Sequence, residues 1–156
     1  MDSNIHPAGQ RALRRGRISL AHQTYHVTVS TAGRASWFEN GEAAHQVARC
    51  LEDRQLLGDA TTLAWVLMPD HIHWLCQLGG DDTLPVVVAR MKSVTARKAN
   101  AALGRNGPRW QKGYHERAIR CQEDVRQVAR YIVANPIRGG LVVELGAYPY
   151  WNCIWL

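Results

Sequence analysis

TTLAWVLMPDHIHWLCQL, residues 61–78, is the stretch that decides how this chain folds. Thr61–Met68 is apolar and rich in β-branched and aromatic residues, the composition of a strand. Pro69-Asp70 makes a tight turn, because proline fixes φ and aspartate bonds nearby backbone. His71–Leu78 then returns as a second strand, antiparallel to the first. Successive strand side chains leave opposite faces, so His71 and His73 share one face while Ile72 points into the core.

Outward from this hairpin the pattern repeats on a larger scale. Gln23–Thr31 (QTYHVTVST) alternates and reads as a strand. Residues 41–57 set Ala44, Val47, Ala48 and Leu51 at helical spacing. After a loop at residues 79–82, Thr83 can cap a helix that tolerates Pro85 in its first turn and runs to about Leu103. Gly104–Pro108 breaks that helix, and Trp110–Arg120 contains a fourth strand, taken to hold Tyr114, His115 and Glu116. Residues 122–135 form a last helix, with acids in its first turn and Pro136 ending it. The order predicts an α+β fold: a ferredoxin-like βαββαβ antiparallel sheet with helices on one face, plus an added C-terminal helix. The expected organisation is a basic arm over 1–18, a catalytic domain over 19–140, and an apolar, aromatic tail over 141–156 that packs on the domain.

The 156 residues suffice for one domain with a sizeable core. No run of about 18 apolar residues suggests a membrane span, and no apolar signal core opens the chain, so a cytoplasmic protein is expected. Cys50, Cys76, Cys121 and Cys153 are scattered, which gives no support to a zinc knuckle. Net charge is +6, and its distribution matters more than its size. Residues 90–138 hold 12 Lys/Arg against 3 Asp/Glu, whereas residues 1–89 hold 7 against 9. The positive field points to a polyanion partner. Arg11, Arg14, Arg15 and Arg17 in the arm, with Lys92, Arg97, Lys98, Lys112 and Arg120 further on, are the expected nucleic-acid contacts.

Two imidazoles on one strand face are ready metal ligands. Tyr131 and Asn135, four apart at helical spacing, share a face of the last helix. Two neutral imidazoles and the Asn135 amide oxygen would leave open positions on a divalent ion for phosphate oxygen and water, as in a catalytic site. Tyr131 is the candidate nucleophile. Taken singly, each residue has a bland reading: a satisfied His pair on a strand, a core tyrosine, a helix-end asparagine before proline. Together they are harder to dismiss. Tyr114 is the rival nucleophile. Cys76, at an odd offset from His73, falls on the wrong face for a ligand.

Three ordered segments carry a resemblance: VLMPDHIHWL (66–75), RWQKGYHERAIR (109–120) and ARYIVANPIRGGLV (129–142), with LRRGRISL and YPYWNCIWL near the two ends. They resemble the REP-associated tyrosine transposases, relatives of the single-strand insertion-sequence transposases in the HUH endonuclease superfamily. The resemblance implies His71 and His73 as the metal-binding pair, Asn135 as third ligand, Tyr131 as catalytic tyrosine, and Mg²⁺ or Mn²⁺ as cofactor. It also implies a covalent 5′-phosphotyrosine intermediate, DNA transposition chemistry, a monomer at the bacterial nucleoid, and a DNA partner: single-stranded repetitive extragenic palindromes that fold into hairpins beside a tetranucleotide. The alternatives are a domesticated, non-catalytic hairpin-binding protein and a zinc-stabilised structural or RNA-binding protein.

Overall fold

The computed structural model describes residues 20–156. Five strands form one antiparallel sheet: β1 (Thr24–Ser30), β2 (Thr61–Met68), β3 (His71–Gln77), β4 (His115–Ile119) and β5 (Trp151–Cys153), in the order β4-β1-β3-β2-β5. The first four follow the ferredoxin-like arrangement. β2 and β3 are the hairpin read from the sequence, with Met68 opposite His71. Its turn is pinned from outside, because Thr31 N–H donates to the Asp70 carbonyl (2.9 Å) and Phe38 N–H to that of Pro69 (3.1 Å).

The sheet divides two cores. On one face lie α1 (Gly41–Cys50) and α3 (Leu84–Leu103), packed on Tyr25, Val27, Val29, Ile72, Trp74 and Cys76. The Asn40 side chain caps α1 by accepting from Ala43 N–H (3.0 Å). The helix expected over 41–57 is broken: α1 stops at Cys50, and Asp53 caps a separate turn, α2 (Arg54–Leu57), by accepting from Gln55 N–H. The α3 helix starts without help from the Thr83 side chain, which makes no capping bond.

The other face is covered by α4 (Gln122–Val133), which lies chiefly across β2 and buries Val128, Ala129, Ile132 and Val133 against Val66, Met68 and Leu75. Pro136 does not end the helical path, as the sequence suggested. It sits in the first turn of a one-turn helix, α5 (Asn135–Arg138), where its missing N–H costs nothing. Leu141–Leu156 then runs back, and β5 pairs with the outer edge of β2. The Tyr148 hydroxyl donates to the Leu67 carbonyl, and burial pushes that phenol up to about 12. No helix among the described residues is long and apolar enough to cross a membrane.

Candidate functional site

Strand parity places His71 and His73 on the α4 face, opposite the Ile72–Trp74–Cys76 row. Register adds neighbours from β1 and β4: Ser30 stands across from His71, and Thr28, then His115, stand across from His73. The two His rings meet edge to face at 4.9 Å between centroids.

Each ring has its Nδ1 engaged. That of His71 lies 2.7 Å from Asp70 Oδ1, and Asp70 is also paired with Arg34 at 3.0 Å. That of His73 lies 3.0 Å from His26 Nε2 and 3.2 Å from Thr28 Oγ1. The Nε2 of both rings is therefore the nitrogen left for a ligand, and the partners on the far side orient the rings. Burial, then the charges of His71, His26, Arg138 and Arg34, pushes the His73 imidazole down to about 3. Burial and the nearby Arg117 push His26 down to about 4. Burial acts against the Asp70 carboxylate, yet the hydrogen bond from His71 and the charges of His71 and Arg34 hold it below the usual range. A neutral His73 imidazole is the form a cation can bind.

Asn135 opens α5. Its Nδ2 donates to the carbonyls of Ile132 (2.8 Å) and Tyr131 (3.4 Å). The carbonyls identify that atom as nitrogen, so the amide oxygen is turned away from the helix, and no described residue donates to it. Two open Nε2 atoms and a free amide oxygen suit a hard or borderline divalent ion. Among the described residues no group of three or more His, Cys, Asp or Glu could hold a metal.

Tyr131 is 57% exposed. It lines an open cleft of about 740 Å³ between α4 and the β1–β4 edge, with His26, Arg117, Arg120, Asp124 and Gln127 among the walls. His26 thus borders both the tyrosine cleft and His73. The Arg138 guanidinium lies 3.8 Å from the Tyr131 ring centroid.

The expected DNA contacts divide. Arg120 shares the cleft with Tyr131. Lys112 is exposed in the loop before β4. Lys92, Arg97 and Lys98 belong to α3, on the opposite face of the sheet. Lys92 donates to the Gln111 and Gly113 carbonyls (2.8 Å each) and so fastens that loop to α3. Arg11, Arg14, Arg15 and Arg17 lie outside the described residues. Tyr114 precedes β4 rather than lying in it, and packs on the core under α1 and α3, away from the His pair. Cys76 is fully buried on that same far side, where burial pushes its thiol up to about 12. Sequence reasoning missed His26, Arg117 and Arg138. The alternation of β1 could have placed His26 and Thr28 on one face, but it gives no register against β3.

The family model described as "Transposase IS200 like" matches residues 19–135. The REP-associated tyrosine transposase of Escherichia coli (strain K12) is 32% identical, over 56% of this chain and 50% of that protein. A putative REP-associated tyrosine transposase of Haemophilus influenzae is 31% identical, over 57% of this chain and 56% of that protein. The chain spans about half the length of these curated relatives. Among solved structures, a REP-associated tyrosine transposase bound to a REP hairpin superposes with a TM-score of 0.67 at 24% identity, covering 86% of this chain and 79% of that one. A putative transposase from Deinococcus radiodurans gives 0.52 at 22% identity, covering 75% and 93%. These two likenesses concern the fold, whereas the family model covers most of the sequence: the chain belongs to the IS200-like transposase family.

Proposed function

We propose that this chain is a metal-dependent single-strand DNA endonuclease and strand transferase. Its substrate would be hairpins of repetitive extragenic palindromes, cut through a covalent 5′-phosphotyrosine at Tyr131. The observation that carries the reading is the joint between two elements. α4 packs on the sheet face that bears His71 and His73, Tyr131 and Asn135 stand where α4 passes into α5, and His26 lines the tyrosine cleft and lies 3.0 Å from His73, which supports the reading. The hairpin is proposed by analogy with the ligand named for the structural neighbour.

His71, His73 and Asn135 would hold Mg²⁺ or Mn²⁺, which when bound supplies positive charge to polarise the scissile phosphate. The chain's own groups do the rest. The Tyr131 hydroxyl oxygen attacks phosphorus. The phosphorus–O3′ bond breaks; the phenol gives up its proton to water and the departing 3′ oxygen takes one from water to become a hydroxyl, so the proton count is unchanged. One phosphodiester replaces another, so the bond energy is kept and a 3′ hydroxyl can reverse the step onto a new strand. Arg117 and Arg120 line the cleft where the strand would lie, and exposed guanidinium groups suit a phosphate path.

The test is an end-labelled single-stranded repeat hairpin incubated with Mn²⁺. A denaturation-resistant protein–DNA adduct is expected. Tyr131→Phe should abolish it while leaving hairpin binding within about threefold, since one hydroxyl contributes little to a footprint made of phosphates. Binding without any adduct in the unaltered chain would leave the domesticated hairpin-binding protein as the reading. An adduct that persists in Tyr131→Phe would move the nucleophile elsewhere.

A further inference from the structure

Arg138 ends α5, seven residues beyond Tyr131. Pro136 sets the first turn of that helix, and Gly139 N–H closes it on the Asn135 carbonyl at 2.8 Å. This folds the Arg138 side chain back along the end of α4. Its Nη2 donates to the Tyr131 carbonyl at 2.6 Å, and its guanidinium carbon lies 3.8 Å from the centre of the Tyr131 ring. The same charge is felt at His73. Arg138 is exposed, and none of the ion pairs among the described residues uses it. A cation thus lies on the Tyr131 ring, close enough to His73 for its charge to be felt there, and no acid among the described residues pairs with it.

A guanidinium has five N–H donors on a planar fork, and Nη2 is the nitrogen with a partner here. The plane can lie on an aromatic face while its edge binds an oxyanion, which a lysine cannot do at the same time. We propose that Arg138 serves the reaction twice: it fixes the Tyr131 ring by stacking on it, and it takes a non-bridging oxygen of the scissile phosphate as the phenol attacks. This rests on the phosphotyrosine reading above. Charge builds on the phosphoryl oxygens in that step, and a guanidinium already held against the Tyr131 ring needs little reorganisation to meet it.

Arg138→Ala and Arg138→Lys are compared with the unaltered chain in single-turnover adduct formation with Mn²⁺. Two hairpin substrates are used, one with the ordinary scissile phosphate and one with a neutral methylphosphonate in its place. On the ordinary phosphate Arg138→Ala should form adduct about 100-fold more slowly, with Arg138→Lys recovering part of the loss and hairpin affinity within about threefold in both. On the methylphosphonate, where there is no charge to neutralise, the gap between Arg138→Ala and the unaltered chain should shrink to about tenfold or less, the part due to ring placement. Should Arg138→Ala fail to fold by circular dichroism, the same comparison is read from Arg138→Lys. A variant as fast as the unaltered chain on the ordinary phosphate, or an equal loss on both substrates, overturns the proposal and leaves the phosphotyrosine reading standing. No adduct from the unaltered chain overturns both.

Discussion

The 3.0 Å contact between His26 Nε2 and His73 Nδ1 fixes which nitrogen His73 presents to the open face. If His73 carries its proton on Nδ1, directed at His26, its Nε2 is bare and points where a cation would sit. Asp70 does the same for His71 through the 2.7 Å bond. Groups that orient a ligating imidazole typically change metal affinity about tenfold or more when lost. His26→Ala is therefore expected to weaken Mn²⁺ binding about tenfold in calorimetric titration, with an unchanged circular dichroism spectrum. Unaltered affinity would show that Thr28 alone, 3.2 Å away, suffices to hold the ring. His26 could not be found by reading along the chain. It stands across from Leu75 on β3 and reaches His73 diagonally, a relation that exists only once the strands are paired. Arg138 was hidden for a similar reason: its reach to Tyr131 crosses the join between two helices.

At the scale of elements, the geometry depends on how α4 sits on the sheet. Ile132, next to Tyr131, is fully buried against the second core. Ile132→Ala removes that anchor and should cost about 2–5 kcal/mol in denaturant unfolding. Val143→Ala, at a residue 90% exposed, should change stability by less than about 0.5 kcal/mol. Equal effects would mean that α4 is not held by this contact. The β2–β3 hairpin was legible because Pro69-Asp70 marks its turn and both strands are dense in β-formers. The break between α1 and α2 was not, because the apolar spacing of 41–57 continues through a point where Asp53 accepts a bond from its own neighbourhood. Three residues of β5 are too few to carry a period, so its pairing with β2 is settled by tertiary packing.

For the molecule as a whole, charge and architecture are not arranged alike. The basic third of the sequence is spread over both faces of the sheet: Arg117, Arg120 and Arg138 lie around the tyrosine cleft, and Lys92, Arg97 and Lys98 lie on α3. If about 6 phosphates are neutralised, log affinity against log salt should fall with a slope of about −4 to −5 on a mixed single- and double-stranded hairpin. A flat dependence measured by filter binding or anisotropy would exclude that footprint. The strand β3 carries a tighter constraint. Its alternation sends Ile72, Trp74 and Cys76 to one core and His71 and His73 to the opposite side. Adding or deleting one residue at the Pro69-Asp70 corner would exchange the two sets, sinking imidazoles into hydrocarbon and lifting tryptophan into water. A change of two would restore parity but slide both ligands about 7 Å along the sheet. The length of this corner has no freedom to drift.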